Sequence, residues 1–180
     1  MRRLYTVTAL LLSIGFAPAY STSKSQFKLG AGAVLETGDT WVLDRRRYRL
    51  FGVQSCLRGT RFTDKQGRRQ DCGDASLAVL AAFIKDTHPT CVPIALAASV
   101  TYVVCLAGVR GRNLDLGTML VSKGFAFAAL DSKGLPINPA YSVAEQQAKS
   151  SKSGLWQFTD VQHPSLVLGR AVNRYPGGRQ

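Results

Sequence analysis

The sequence predicts an α+β domain, a five-stranded OB-type Greek-key β-barrel with three α-helices. Three observations predict it. Short β-prone runs separated by turn residues occupy 26–53 and recur at 90–105. Helical periodicity appears after the third strand and again after the fifth, an α+β order that suits a small Greek-key barrel. The length of 180 residues suits one domain with a real core and is short for two.

The chain begins "MRRLYTVTALLLSIGFAPAYS". Arg2 and Arg3 precede an apolar run from Leu4 to Phe16, and small residues follow at Ala17 and Ala19. A basic start, a short apolar middle and an A-x-A site read as a secretory signal over 1–19, placing the mature protein in the periplasm or outside the cell. The rival reading is an uncleaved anchor, but the run is short for a bilayer span. No later segment is apolar enough to cross a membrane, so none remains once the signal is cleaved. Residues 20–33 form a polar segment leading into the first strand, 34–158 the folded domain, and 159–180 a tail that is loosely ordered at its end.

Within the domain, Val34, Leu35, Trp41, Val42, Leu43, Tyr48, Leu50, Phe51 and Val53 supply the apolar positions of a three-stranded antiparallel meander. "TGDT" and "DRRR" break it. "RGTRFTDKQGRR", residues 58–69, is a polar loop with five basic residues (Arg58, Arg61, Lys65, Arg68, Arg69) and one acid, Asp64. "GDASLAVLAAFIKD" is an amphipathic helix with Asp74 as its expected N-cap and Leu77, Leu80, Ala81 and Ile84 at helical spacing. Strands follow at 90–95 and 99–105, then the loop "VRGRN". "LDLGTMLVSKG" is a short helix ended by Gly124, "FAFAAL" an extended segment, and "SVAEQQAKSSKSGLW" a third helix stopping at Gly154.

Four cysteines, Cys56, Cys72, Cys91 and Cys105, in an exported chain favour two disulfides. Pairing sequence neighbours is the simplest of three arrangements. Cys91 and Cys105 lie equally far from Ala98, so a hairpin turning there sets them opposite each other, within reach of a bridge. Zinc is the rival, but there is no C-x-x-C pair and His88 and His163 are poorly placed. The net charge of +12 falls to about +10 when the signal leaves with Arg2 and Arg3 and no acid. Such a field favours polyanions, namely nucleic acid, acidic polysaccharide or an anionic envelope surface. The plainer reading is solubility.

"GDT", "YRLFGV", "CG..A...L", "VVC", "LDLGTMLVSKGFAFA", "Y...E..A" and "SGLW" occur in that order between about 34 and 156. This ordered set resembles the staphylococcal-nuclease-like (thermonuclease) family, in particular its small exported bacterial members with four cysteines. The resemblance implies the OB-type barrel with three helices already read above. It also implies calcium-dependent phosphodiester hydrolysis. Two aspartates and a backbone carbonyl hold the metal, a glutamate activates water, and two arginines hold the phosphate.

Carried over by motif, the first aspartate is Asp39 and the first arginine is Arg49. The family's "R-L-x-G-I-D-A-P-E" reads here "RLFGVQSCL". Gln54 stands at the metal aspartate, Cys56 at the proline and Leu57 at the general-base glutamate. Val100 stands at the second arginine. Gln54 carries no charge, Leu57 takes no proton and Val100 binds no phosphate. Loss of a general base alone costs roughly 10²–10⁴ in rate. Glu36, Asp64, Arg110 and Arg112 are the residues that a rearranged site would draw on. Asp39 and Arg49 also have a plain reading as a turn brace, Glu145 as a structural hydrogen-bonding residue, and Trp156 as packing.

These observations lead to the expectation of an exported, catalytically degenerate thermonuclease-like protein without a metal or other cofactor. It would bind an acidic polymer through Arg45, Arg46, Arg47, Arg58, Arg61, Lys65, Arg68 and Arg69. Exported relatives of this size are associated with exopolysaccharide (succinoglycan) biosynthesis, which the resemblance offers as context. The alternatives are a secreted nuclease with an altered, calcium-using site and a protein-interaction module.

Overall fold

A computed structural model describes residues 26–174, with side chains to Ala171. The expected secretory signal, the rest of the polar segment up to residue 25 and the last residues of the tail lie outside the described residues. The chain is a mixed α+β protein. Its strands are β1 (Phe27–Lys28), β2 (Val34–Leu35), β3 (Thr40–Leu43), β4 (Arg46–Leu50), β5 (Val53–Ser55), β6 (Arg61–Thr63), β7 (Arg69–Asp71), β8 (Thr90–Ala97), β9 (Val100–Val109), β10 (Arg112–Asp115) and β11 (Ala126–Ala128). Its helices are α1 (Cys72–Thr87), α2 (Leu116–Ser122), α3 (Pro139–Ser150) and α4 (Pro164–Arg174).

The main sheet runs β1-β8-β9-β4-β3-β2, with β10 also on β9, and it curls into a half-barrel. Its meander is β2, β3 and β4, all antiparallel, as expected. The turn between β3 and β4 contains only Asp44 and Arg45, so Arg46 and Arg47 lie in the strand rather than in the break. β4 pairs in parallel with β9. β9 is long enough to serve three neighbours, with β8 and β4 on its first part and β10 on its last. The expected loop at 109–113 is mostly sheet and narrows to a turn at Arg110–Gly111, both with positive φ.

Burial explains the helix placement. Leu80 and Ile84 of α1, Leu116, Leu120 and Val121 of α2, and Tyr141 and Ala144 of α3 close one core with Trp41, Leu50, Val53 and Val103. The N-cap of α1 is Asp71, not Asp74. Asp71 accepts the Asp74 N–H at 3.1 Å, which places Asp74 inside the first turn, where its charge still suits the helix dipole. A second core joins Cys56, Phe62, Cys72, Phe127 and Leu155. It lies under the 58–69 segment, which is a β6–β7 hairpin rather than a loop.

The tail departs most from expectation. It carries α4, a fourth helix, anchored at its start by His163. His163 Nδ1 accepts the Ser165 N–H at 3.2 Å, and Nε2 lies 3.3 Å from Glu145. Glu145 is buried and also takes the Ala128 N–H at 2.8 Å and Lys149 at 3.0 Å. It therefore ties α3 to β11 and to the tail. Trp156 packs edge-on against Phe127 with Lys149 over its ring.

Both disulfides pair sequence neighbours, Cys56–Cys72 and Cys91–Cys105. Cys91 and Cys105 are direct cross-strand partners in the β8–β9 hairpin, as expected, but the hairpin turns at Ala98–Ser99 and a bulge between Pro93 and Ala95 shifts the register by one residue to bring them opposite each other. Among the described residues no helix is long and apolar enough to cross a membrane.

The Cys91–Cys105 bridge closes a span of 14 residues. Replacing both cysteines with serine should cost about 3 kcal/mol in urea unfolding. An unchanged midpoint would show that the bridge does not constrain the chain. Burial pushes the Glu145 pKa up, but hydrogen bonds from His163, the Ala128 N–H and Lys149 outweigh it and lower the pKa from 4.5 to about 2. A depressed folded pKa gives stability that is full above the unfolded value and is lost as pH falls from about 4.5 to about 2. Glu145→Gln should flatten the stability profile in that window, and a parallel profile in the variant would refute the assignment.

Candidate functional site

The site forms where β3, β4 and β5 meet. Asp39 sits at the end of the turn into β3 and is 2 % exposed. A buried carboxylate needs donors, and four converge on it. Oδ1 accepts from the hydroxyls of Thr37 at 2.6 Å and Thr40 at 2.8 Å. Oδ2 accepts from Arg49 Nη2 and from the Ser55 N–H, both at 3.1 Å. Arg49 arrives because Thr40 and Arg49 are cross-strand partners. The turn lies tight against α1. A Cβ at Gly38 would fall 2.6 Å from Ser76 Cβ, so only glycine fits there.

Gln54 completes the arrangement. Its Oε1 accepts from Arg49 Nη2 at 2.8 Å, and its Nε2 donates to the Ser55 carbonyl at 3.0 Å. Asp39, Arg49, Gln54 and Ser55 thus form one network in which acid and base neutralise each other. The Nε and Nη1 groups of Arg49 make no hydrogen bond to the described residues, and Arg49 lines a cleft of about 370 Å³. Phe51, Tyr102, Leu130 and Ile137 supply much of its wall.

The structure brings Asp39, Arg49 and Gln54 together. Leu57 stands just beyond β5, half-buried, with its carbonyl taken by Thr60. Val100 starts β9 opposite Arg47, and it is Tyr102 that pairs with Arg49. The acids a rearranged site would need are engaged elsewhere. Glu36 holds Arg47 through two contacts of 2.8 Å. Asp64 organises the β6–β7 turn. Desolvation raises its pKa, but hydrogen bonds from the Arg68 and Gln66 N–H groups and from the Gln70 and Arg68 side chains bring it down to about 2. Among the described residues no hydrogen bond or ion pair joins Arg110 or Arg112 to Asp39.

These residues do not fit a calcium ion. Calcium takes roughly 6–8 oxygens, several of them anionic. Here a single carboxylate faces the position, and both its oxygens are occupied by donors. Among the described residues no three His, Cys, Asp or Glu side chains come together as a metal site.

The basic residues divide into two groups. Arg45, Arg46 and Arg47 are exposed at the β3–β4 turn. Arg58, Arg61, Lys65, Arg68 and Arg69 belong to the β6–β7 hairpin and its approach, where Arg58 meets Asp74 at 3.1 Å and Arg68 meets Asp64 at 2.9 Å. Arg61 and Arg69 lie within the fields of Asp71 and Asp160. The structural role of Asp160 was not apparent from sequence. It caps the Thr63 N–H and hydroxyl from 97 residues away. His163 was also missed as an anchor, although a histidine directly before a helix-starting proline is a local signal for a cap.

Fold and site define a small, twice-bridged α+β protein with an internally satisfied acid–arginine–amide network. No protein-family model matches the chain. It is 29% identical over 151 residues to the succinoglycan biosynthesis protein ExoI of Rhizobium meliloti (strain 1021), a match covering 82% of this chain and 74% of that protein.

Asp39→Ala should destabilise the fold by about 3–5 kcal/mol, because it leaves the Arg49 charge and the Ser55 N–H without their partner. Denaturant titration measures this. A loss near zero would mean that the network does not hold the strands.

Proposed function

We propose that the chain is an exported accessory protein of exopolysaccharide biosynthesis that binds an acidic polymer. Its OB-type, thermonuclease-like scaffold no longer carries nuclease chemistry. The observation that supports this most is the Asp39–Arg49–Gln54 network. The carboxylate that would hold a metal and the arginine that would hold phosphate are turned onto each other and onto a neutral amide. Leu57 and Val100 supply neither a base nor a cation. The two disulfides favour an oxidising compartment. The positive charge favours an anionic partner. The similarity to a succinoglycan biosynthesis protein of Rhizobium meliloti supports a polysaccharide as that partner.

The rival is a nuclease with an altered site, and what favours it is that Asp39 and Arg49 keep the residue types of the nuclease pattern. A fluorogenic DNase and RNase assay with calcium separates the two. Turnover should not exceed the blank with either nucleic acid. Calcium-dependent activity that disappears in Asp39→Ala, in a preparation shown to be folded, would overturn the accessory reading. The mature protein should be retarded by an acidic polysaccharide but not by neutral dextran in affinity electrophoresis, with the effect weakening as salt rises. Retardation by neither would leave the protein-interaction module as the better account.

A further inference from the structure

We infer that the pocket between the β3–β4 and β8–β9 turns is a recognition site for a carboxylated sugar unit, with Arg45 and Arg46 as its anion anchors. This rests on the acidic-polymer reading and assigns it a place. The parallel pairing of β4 with β9 brings the two hairpin tips side by side, since Arg47 lies opposite Val100. Between them is a pocket of about 470 Å³, lined by Arg45, Arg46, Val42, Leu96, Ser99 and Thr101, with Arg47 at its wall.

The charges there differ from those of the β6–β7 hairpin. Arg47 is neutralised by Glu36 and braces the strand. Among the described residues Arg45 and Arg46 have no ion pair, and the hydroxyls of Ser99 and Thr101 have no hydrogen-bond partner. The β6–β7 group is the opposite case, because every arginine in it has an acid nearby. Its charge is largely spent on holding the hairpin. The tip pocket therefore carries uncompensated donors.

The backbone holds those donors in place. Asp44 and Arg45 both have positive φ, 49° and 62°, the two-residue turn in which asparagine and glycine are the usual choice. A left-handed arginine costs about 1–2 kcal/mol. Ala98, on the facing turn, also has positive φ at 50°. Two turns that depart from the easiest residue choice face each other across one pocket.

The chemistry selects the ligand class. Guanidinium forks and hydroxyls suit a carboxylate. Leu96, 73% exposed, and Val42 form an aliphatic ledge for the C–H face of a sugar ring. No aromatic ring lines the pocket. Single-stranded nucleic acid binds through stacking platforms, so the site favours an acidic glycan. Its volume suits a small ligand rather than a bare ion.

The test is calorimetric titration of the mature protein at low salt with tetragalacturonate, maltotetraose and a thymidine tetranucleotide. Arg45→Ala/Arg46→Ala should weaken tetragalacturonate binding by about tenfold or more. The charge-matched Arg58→Ala/Lys65→Ala should weaken it by roughly twofold or less. Leu96→Ala, which changes no charge, should also weaken it, and maltotetraose should not bind. All substituted side chains are exposed, and melting curves check that the variants fold. Equal losses in the two double variants would overturn the site while leaving diffuse polyanion binding intact. Tighter binding of the tetranucleotide would overturn the ligand class. If neither tetragalacturonate nor a long acidic polysaccharide bound the parent, the acidic-polymer reading would fail and the site with it.

Discussion

One buried carboxylate organises this end of the molecule. Asp39 lies out of water, and an ion there is tolerable only when paired and hydrogen-bonded. Its four donors come from its own turn, from β4 and from the end of β5. Those contacts hold β5 beside the main sheet, and β5 in turn pairs with β11 in a separate two-stranded sheet. Glutamine at 54 suits this arrangement. An amide accepts from Arg49 through its oxygen and donates to the Ser55 carbonyl through its nitrogen. A carboxylate there would have no donor to offer that carbonyl.

Next to this network, Cys56 and Ser76 form a second fixed point. The Cys56 N–H bonds to Ser76 Oγ, and Ser76 Oγ donates to the Phe125 carbonyl at 2.6 Å. Cys56 is then tied covalently to Cys72 at the start of α1. The basic β6–β7 hairpin hangs from this staple and is closed from the far side by Asp160. Its arginines work largely within the fold, whereas those at the β3–β4 turn face outward. A single net charge for the chain conceals that difference, which decides where an anion would go.

Some of this was legible in the sequence and some was not. The Cys91–Cys105 pair was legible to within one residue from its spacing about the turn, and the bulge between Pro93 and Ala95 that makes the two cysteines directly opposed was not. The meander, α1, α2 and α3 were legible because their apolar residues recur at the right period. The β6–β7 hairpin was hidden because Phe62 alone of its residues is a buried hydrophobic, so polarity read as loop. Helix α4 was hidden because Leu166 and Leu168 face solvent and its anchor is a histidine bonded to a glutamate on another helix. At the site, ordered motifs brought out Asp39, Arg49 and Gln54. That they bond to one another was not legible, because hydrogen-bond direction depends on side-chain geometry.

The presence of Asp39 and Arg49 therefore does not by itself argue for chemistry. A residue that served only to bind a metal would be idle once its partner ligands were replaced. Asp39 is not idle, since it satisfies two hydroxyls, a backbone N–H and a guanidinium in a place where water does not reach. Removing it would expose the cost of each. The same carboxylate that in the metal-using family the sequence resembles would serve a metal ion serves the fold here, with Arg49 as the cation. On the accessory reading, the pair belongs to the scaffold, and the outward arginines at the neighbouring turn are the part left free to meet a ligand.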